Sequence, residues 1–385
     1  MYNKIVRFIR KQFNSNDFIP LHSPAFIGNE KAYILETIDS TYVSSIGKFV
    51  DLFEEKIKIY TGAKHAIATV NGTSALHIAL LLTGVRKNDL VLTQSLSFIA
   101  TCNAISYLSA EPLFIDIDKR TLGMSPRSLK AFFEEHTLQS NGECIHKHSG
   151  RRISACVPMH TFGHPVEIDS IAEICANYNV VLVEDAAESI GSFYKGVHTG
   201  NYGLIGVFSF NGNKTVTCGG GGMIITNNEE IAKKARHLTT QAKVPHPWEF
   251  VHDYIGYNYR LPNINAALAC AQMENIEQFI AAKRNLASSY QSFFKDTPYV
   301  FIEESSHAKA NYWLNAILAN DYNERNAMLT FFNNSGVMAR PCWMPMHKLK
   351  MFENCYRTSM DNTEWINDRL INIPSSYNFL FAENR

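Results

Sequence analysis

An α/β fold, with a large domain built on a mostly parallel central sheet flanked by helices and a smaller C-terminal α+β domain, is predicted by three observations. Short apolar runs of strand character alternate through the first two-thirds with segments whose apolar residues recur at three-to-four spacing, the mark of βαβ units. The chain has 385 residues, 46% hydrophobic and 19% charged, enough to bury a large core and unlike a disordered, collagenous or coiled-coil sequence. Beyond about residue 250 the pattern gives way to a long helix and then to mixed strands and helices. We therefore expect an N-terminal helix over 1–16, a large domain over 17–255 and a small domain over 256–385.

The opening MYNKIVRFIRKQF places Ile5, Phe8, Ile9 and Gln12 on one helical face, with Lys4, Arg7 and Lys11 around the other. Such a helix packs on its own protein or a partner subunit, with a membrane-surface anchor as the alternative. HAIATV (65–70) predicts a strand, and NGTSALHIALLLTGV a helix opening at Gly72-Thr73-Ser74. VLTQSLSFIATCNAISYL runs from strand through loop to helix, while PLFIDID (112–118) and ISACVPMH (153–160) are strands, with HKHSGRR a surface insertion before the second. VEIDSIAEICANYN is a helix, and VVLVEDAA (180–187), LIGVFSF (204–210) and GGMIITN (221–227) are strands. EEIAKKARHL makes a polar helix, and one long helix is expected around Asn265 to Ser289.

Lys plus Arg (36) equals Asp plus Glu (36), so no global field draws the chain to nucleic acid or an anionic membrane, and an anionic substrate must be held by local groups. No apolar run approaches the ~18 residues of a membrane span. The eight cysteines (Cys102, Cys144, Cys156, Cys175, Cys218, Cys270, Cys342 and Cys355) are scattered, with no Cys-x-x-Cys pair and no metal-ligand spacing. We expect reduced thiols, no metal and a cytoplasmic location.

Three features can carry chemistry. Lys214 in FSFNGNKTVTCGGGG lies between an apolar strand and four glycines, where backbone can approach a bound group. A partly desolvated lysine there can lose its proton and form a Schiff base with an aldehyde; otherwise it is solvated decoration. Asp185 ends VVLVED, at the carboxyl edge of a buried strand, where open α/β sheets keep their ligand crevice. It is either a turn or cap residue or a carboxylate that keeps a pyridine nitrogen protonated, making the ring an electron sink. Gly72-Thr73-Ser74 presents N–H groups and hydroxyls at a helix start, suited to an anion or to simple capping. Neither glycine segment matches a Walker loop or the G-x-G-x-x-G fingerprint, which weakens nucleotide hydrolysis and hydride transfer as functions.

Taken together, NGTSALHIAL, VEDAAES, FSFNGNKTVTCGGGGM and GYNYRLPNINAAL resemble the sugar aminotransferases of the DegT/DnrJ/EryC1/StrS family, which are fold-type I pyridoxal phosphate enzymes, over nearly the whole chain. The resemblance implies pyridoxal 5'-phosphate as cofactor, with Lys214 as the lysine that bonds to it and moves the proton between cofactor and substrate carbons. It makes Asp185 the partner of the pyridine nitrogen and Gly72, Thr73 and Ser209 the phosphate cradle, with Ser74 beside them among the cofactor-binding residues. Asn258 would reach the phosphate of the neighbouring subunit, implying a homodimer with shared sites. Phe98 matches the aromatic that stacks on the ring and His160 a position lining the pocket. Glu188 stands near the ring hydroxyl, where many relatives have Gln.

The resemblance further implies transfer of an amino group from glutamate to the 4-keto group of a nucleotide-linked 6-deoxy sugar. Long segments look most like the enzymes for UDP-linked 4-keto-6-deoxy-N-acetylhexosamines of legionaminic acid and bacillosamine-type pathways, although relatives using GDP- or dTDP-linked sugars share the motifs. Arg260 and the basic segment around Lys243 are candidates for the sugar nucleotide's diphosphate. The alternatives are a dehydratase, in which some relatives replace the lysine with histidine whereas this chain keeps Lys214, and a ligand-sensing binding protein, which predicts a damaged lysine or carboxylate.

Overall fold

The protein is described from a computed structural model covering residues 1–377. The apolar runs form one sheet in the order His65–Thr69, Gly222–Thr226, Ile205–Ser209, Val181–Asp185, Arg152–Val157, Leu90–Gln94 and Glu111–Ile115. Its five consecutive strands from Ile205–Ser209 to Glu111–Ile115 are parallel, and Gly222–Thr226 runs against both its neighbours, so the sheet is mixed. The central strands read as unbroken apolar runs because helices cover both faces. Val183, Val207, Val91 and Ile224 pack with Leu76, Ala79 and Leu80 of the Gly72–Leu82 helix on one side. Leu182, Leu92 and Leu113 pack with Phe133, Ile171 and Cys175 on the other.

The expected surface insertion HKHSGRR is instead the turn of an ordered sheet extension. Thr137–Ser140 and Glu143–His146 form a hairpin that pairs onto Arg152–Val157. The amide of His146 donates to the Arg151 carbonyl at 2.9 Å, and Arg151 bridges to Glu111 at 2.9 Å. Charged side chains at that turn concealed the strand pairing beside it.

The long helix expected around Asn265 to Ser289 is two, Asn263–Glu274 and Ile276–Phe294. At the junction Asn275 takes φ −111° and ψ 10°, and its side-chain amide donates to the Ala271 carbonyl at 3.2 Å. An Asn that bonds local backbone competes with the helical ladder, a conflict the apolar period does not register.

A four-stranded antiparallel sheet (Val300–Phe301, Asn315–Leu318, Leu370–Ile373 and Arg340–Pro341) forms a second layer with the Ile276–Phe294 and Tyr322–Asn334 helices. The N-terminal helix, Tyr2–Phe13, belongs to this layer. Ile5, Val6 and Ile9 are buried with Leu286, Tyr290, Phe332 and Val337, and Phe8 stacks on Phe293 at 4.0 Å. Its apolar face is thus spent on the protein itself, which removes the membrane-anchor alternative. We propose grouping residues 1–16 with the small C-terminal unit instead of counting them separately. Among the described residues no helix is long and apolar enough to cross a membrane.

Candidate active site

Side chains in a strand alternate between faces, so Val181–Asp185 sends Asp185 toward the Gly72–Leu82 helix and Glu184 the opposite way. At the carboxyl end of that strand lies a cavity of about 310 Å³. Lys214, Asp185, Glu188, Gly72, Thr73, Ser209 and Phe98 line it, brought together from five separate stretches of sequence.

Asp185 is buried. Its Oδ2 accepts from the Thr101 hydroxyl at 2.6 Å and its Oδ1 from the Ala187 amide at 3.1 Å. Burial raises its pKa, while the Thr101 and Ala187 hydrogen bonds and the Lys214 charge oppose that rise. Lys214 Nζ lies 3.2 Å from Glu188 Oε1 and 4.0 Å from the centre of the Trp313 ring. The Trp313 indole is fixed in turn by donating to the Asn213 carbonyl at 2.7 Å. Glu188 Oε2 accepts from the Phe162 amide at 2.8 Å.

The helix start is set by Asn71, one residue before the expected opening. Its side chain accepts from the Ser74 amide at 2.8 Å, as an N-cap does. That bond occupies the Ser74 N–H, and Ser74 stands outside the cavity wall, so the expected place of Ser74 in an anion cradle is corrected to a capped position. The amides of Gly72 and Thr73, in the first turn, have no acceptor within the helix and lie at its positive end. A Cβ on Gly72 would come within 2.9 Å of Ser209 Cβ, so glycine keeps this wall open.

His160 does not line the cavity, contrary to expectation. It is fully buried on the Glu184 side of the strand, its Nε2 donating to Glu184 Oε2 at 3.0 Å and its Nδ1 accepting from the Val166 amide at 3.2 Å. Asn258 and Arg260 also stand outside the cavity of their own chain. Asn258 is exposed and bridges to Thr240, and Arg260 sits beside Lys243 and His246 around a separate hollow of about 590 Å³. Sequence reasoning missed Asn71, Thr101, Trp313 and Trp343. The polar pair had signals, since Asn71 precedes the helix and Thr101 follows Phe98 by 101 − 98 = 3 residues, about one helical turn. The tryptophans come from the distant C-terminal layer and carry no local signal.

These residues fit pyridoxal phosphate. Lys214 offers an amine to an aldehyde, Asp185 a buried acceptor for a pyridinium N–H, the Gly72 wall and the first-turn amides a place for a phosphate, and the half-exposed Phe98 an aromatic face. Bound there, the cofactor would supply an electron sink for a substrate carbanion. Fold and site define a pyridoxal phosphate-dependent aminotransferase.

The model of the DegT/DnrJ/EryC1/StrS aminotransferase family matches residues 25–383, and the chain belongs to that family. It is 35% identical over 360 residues to a GDP-perosamine synthase of Escherichia coli O157:H7, covering 93% of each chain. It is also 35% identical over 365 residues to a Bacillus subtilis (strain 168) protein named as a pyridoxal phosphate-dependent aminotransferase, EpsN, covering 94% of this chain and 91% of that one. Among solved structures, a DegT/DnrJ/EryC1/StrS aminotransferase from Brucella abortus superposes with a TM-score of 0.82 at 25% identity, over 90% of each chain. Helicobacter pylori PseC, an aminotransferase of pseudoaminic acid biosynthesis, shares the fold with a TM-score of 0.84 at 22% identity, over 95% of this chain and 96% of that one.

Proposed function

We propose that this enzyme moves an amino group from glutamate to the 4-keto carbon of a nucleoside diphosphate-linked 6-deoxy sugar. The observation that carries the reading is the convergence of Lys214, Asp185 and the Gly72 wall on one cavity. Lys214 Nζ would hold the cofactor by its aldehyde and, when free, would move the proton between cofactor and substrate carbons. Asp185 would hold the cofactor's ring proton in place. Phe98 and Trp313 supply apolar surface that limits water around the reacting atoms.

Relatives named as GDP-perosamine synthases favour a guanosine-linked sugar over the UDP-linked N-acetylhexosamine that long sequence segments suggested. Arg260 supports diphosphate binding, since its buried Nε has no hydrogen-bond partner and Lys243 stands beside it. A homodimer with shared sites is supported by the exposed Trp248, Phe250, Tyr254 and Ile255 in the segment leading to Asn258.

The test adds glutamate to purified yellow holoenzyme, which should bleach, and then asks which of the GDP-, UDP- and dTDP-linked 4-keto-6-deoxy sugars restores the colour. Lys214→Ala should fold and lose turnover. Full transamination by that variant would refute the assignment.

A further inference from the structure

Glu188 is the acidic group in contact with the lysine amine, and its surroundings suit it to more than holding a charge. Its side chain is 1% exposed and that of Lys214 11%, so bulk water has little access to the 3.2 Å gap between Oε1 and Nζ. The other oxygen, Oε2, is pinned by the Phe162 amide at 2.8 Å, which leaves Oε1 as the oxygen directed at the lysine. The Glu188 carbonyl is anchored separately, by the Asn311 side-chain amide at 2.9 Å. The carboxyl is therefore held by the Phe162 amide and its backbone by Asn311, both independently of Lys214.

We propose that Glu188 is a catalytic acid–base group, taking the proton that Lys214 must shed before its nitrogen can bond to a carbonyl carbon and returning it when the lysine is released. This rests on the function proposed above and deepens it. In the forward transfer an Nζ–H bond breaks and an Oε1–H bond forms. The N–H electron pair stays on nitrogen as its nucleophilic lone pair, and nothing is oxidised or reduced. Condensation of the neutral amine with an aldehyde then gives the C=N bond and one water.

Burial makes the Glu188 carboxyl a better proton acceptor than an exposed one, while the Lys214 charge works against the transfer. Burial pushes the Glu188 carboxyl up to about 7 even though the Lys214 ammonium opposes it, so the acid can keep a proton near neutrality. The other titratable groups facing the pair leave that balance in place. Asp185, at the strand end, adds a smaller upward push on Glu188. Cys342, from the C-terminal layer, has its thiol held protonated by burial. His22, on the Lys214 side, is driven toward its neutral form by burial and by the charges of Lys283 and Lys214. A glutamine in place of Glu188 could hold Lys214 by a hydrogen bond and could not accept its proton.

The experiment follows the rate at which protein stripped of cofactor captures pyridoxal phosphate, read from the rise of the yellow absorbance between about pH 6 and about pH 9. With Glu188 as the internal acceptor, the wild-type rate should climb to about pH 7 and then level, because the proton moves within the pair. In Glu188→Gln the amine can lose its proton only to solvent, so the rate should go on rising with pH beyond the point where the wild type levels. Glu188→Asp should restore the level region at a reduced rate. Parallel profiles for wild type and Glu188→Gln would overturn the proposal. So would a wild-type rate still climbing at about pH 9, an observation that needs no variant to fold. If the wild type captures no pyridoxal phosphate at any pH, the proposed function fails first and takes this inference with it.

Discussion

Glu184→Gln probes the layer directly behind the reacting groups. The Glu184 carboxylate is fully buried and satisfies four donors. Oε1 accepts from the amides of Tyr202 at 2.6 Å and Gly203 at 2.8 Å, and Oε2 from the Gly200 amide at 2.9 Å and His160 Nε2 at 3.0 Å. Gln keeps one oxygen and puts an NH2 where the other stood, so two buried donors lose their acceptor. His160 cannot repair this by switching tautomer, because its Nδ1 lone pair already receives the Val166 amide. At roughly 1–3 kcal/mol for each orphaned donor, the loss is about 2–6 kcal/mol, a large part of a typical 5–15 kcal/mol stability. Thermal unfolding of the cofactor-free protein at pH 7 should shift down by roughly 2–7 °C. The pH dependence has a definite sign. Burial alone would raise the Glu184 pKa, but hydrogen bonds from His160 and the Gly203 and Gly200 amides outweigh it and leave it below its ordinary 4.5. A carboxylate depressed in the folded state stabilises above its unfolded pKa, so the gap between wild type and variant should narrow as pH falls below 4.5. A melting shift under about 1 °C at pH 7 would refute this account of the strand's far side.

Other substitutions test other parts. Gly72→Ala gains up to about 1 kcal/mol of helix propensity but drives a methyl to 2.9 Å from Ser209 Cβ, an overpacking cost of about 1–3 kcal/mol. We expect a folded protein whose equilibrium affinity for pyridoxal phosphate drops roughly tenfold, and unchanged affinity would argue against a phosphate at this wall. Asn258→Ala should weaken cofactor retention in the assembled protein, measured by equilibrium dialysis, if its side chain serves a neighbouring subunit. Lys283 is buried, donates to the carbonyls of Ser375 at 2.6 Å and Trp313 at 3.1 Å, and is pushed down to about 7 by desolvation. Between about 7 and its ordinary 10.5 the unfolded chain binds the extra proton, so stability should rise with pH. In Lys283→Met that rise should be absent, as paired melts at neutral and alkaline pH would show.

Much of the large sheet was legible because buried parallel strands are short, apolar and bounded by turns, as in VVLVEDAA, whose strand core is Val181–Asp185. The same signal could not say that Gly222–Thr226 runs against its neighbours, since strand direction is decided by the path of the chain between strands. His160 shows a second limit. It follows an apolar run and sits near the crevice, but the alternation of side chains across the sheet sends it to Glu184.

The sequence alone determined the chemistry available: an amine at Lys214, a carboxylate ending a buried strand at Asp185, and a glycine at the start of a helix. Composition, period and local turns dictate those features within a few neighbouring residues. Only the tertiary structure decided that Glu188 meets that amine, that Trp313 reaches it from the C-terminal layer about 100 residues away, and that the N-terminal helix closes onto the same layer. Such contacts depend on how whole layers pack, and packing is set by shape and burial across the molecule, which no short stretch of sequence contains.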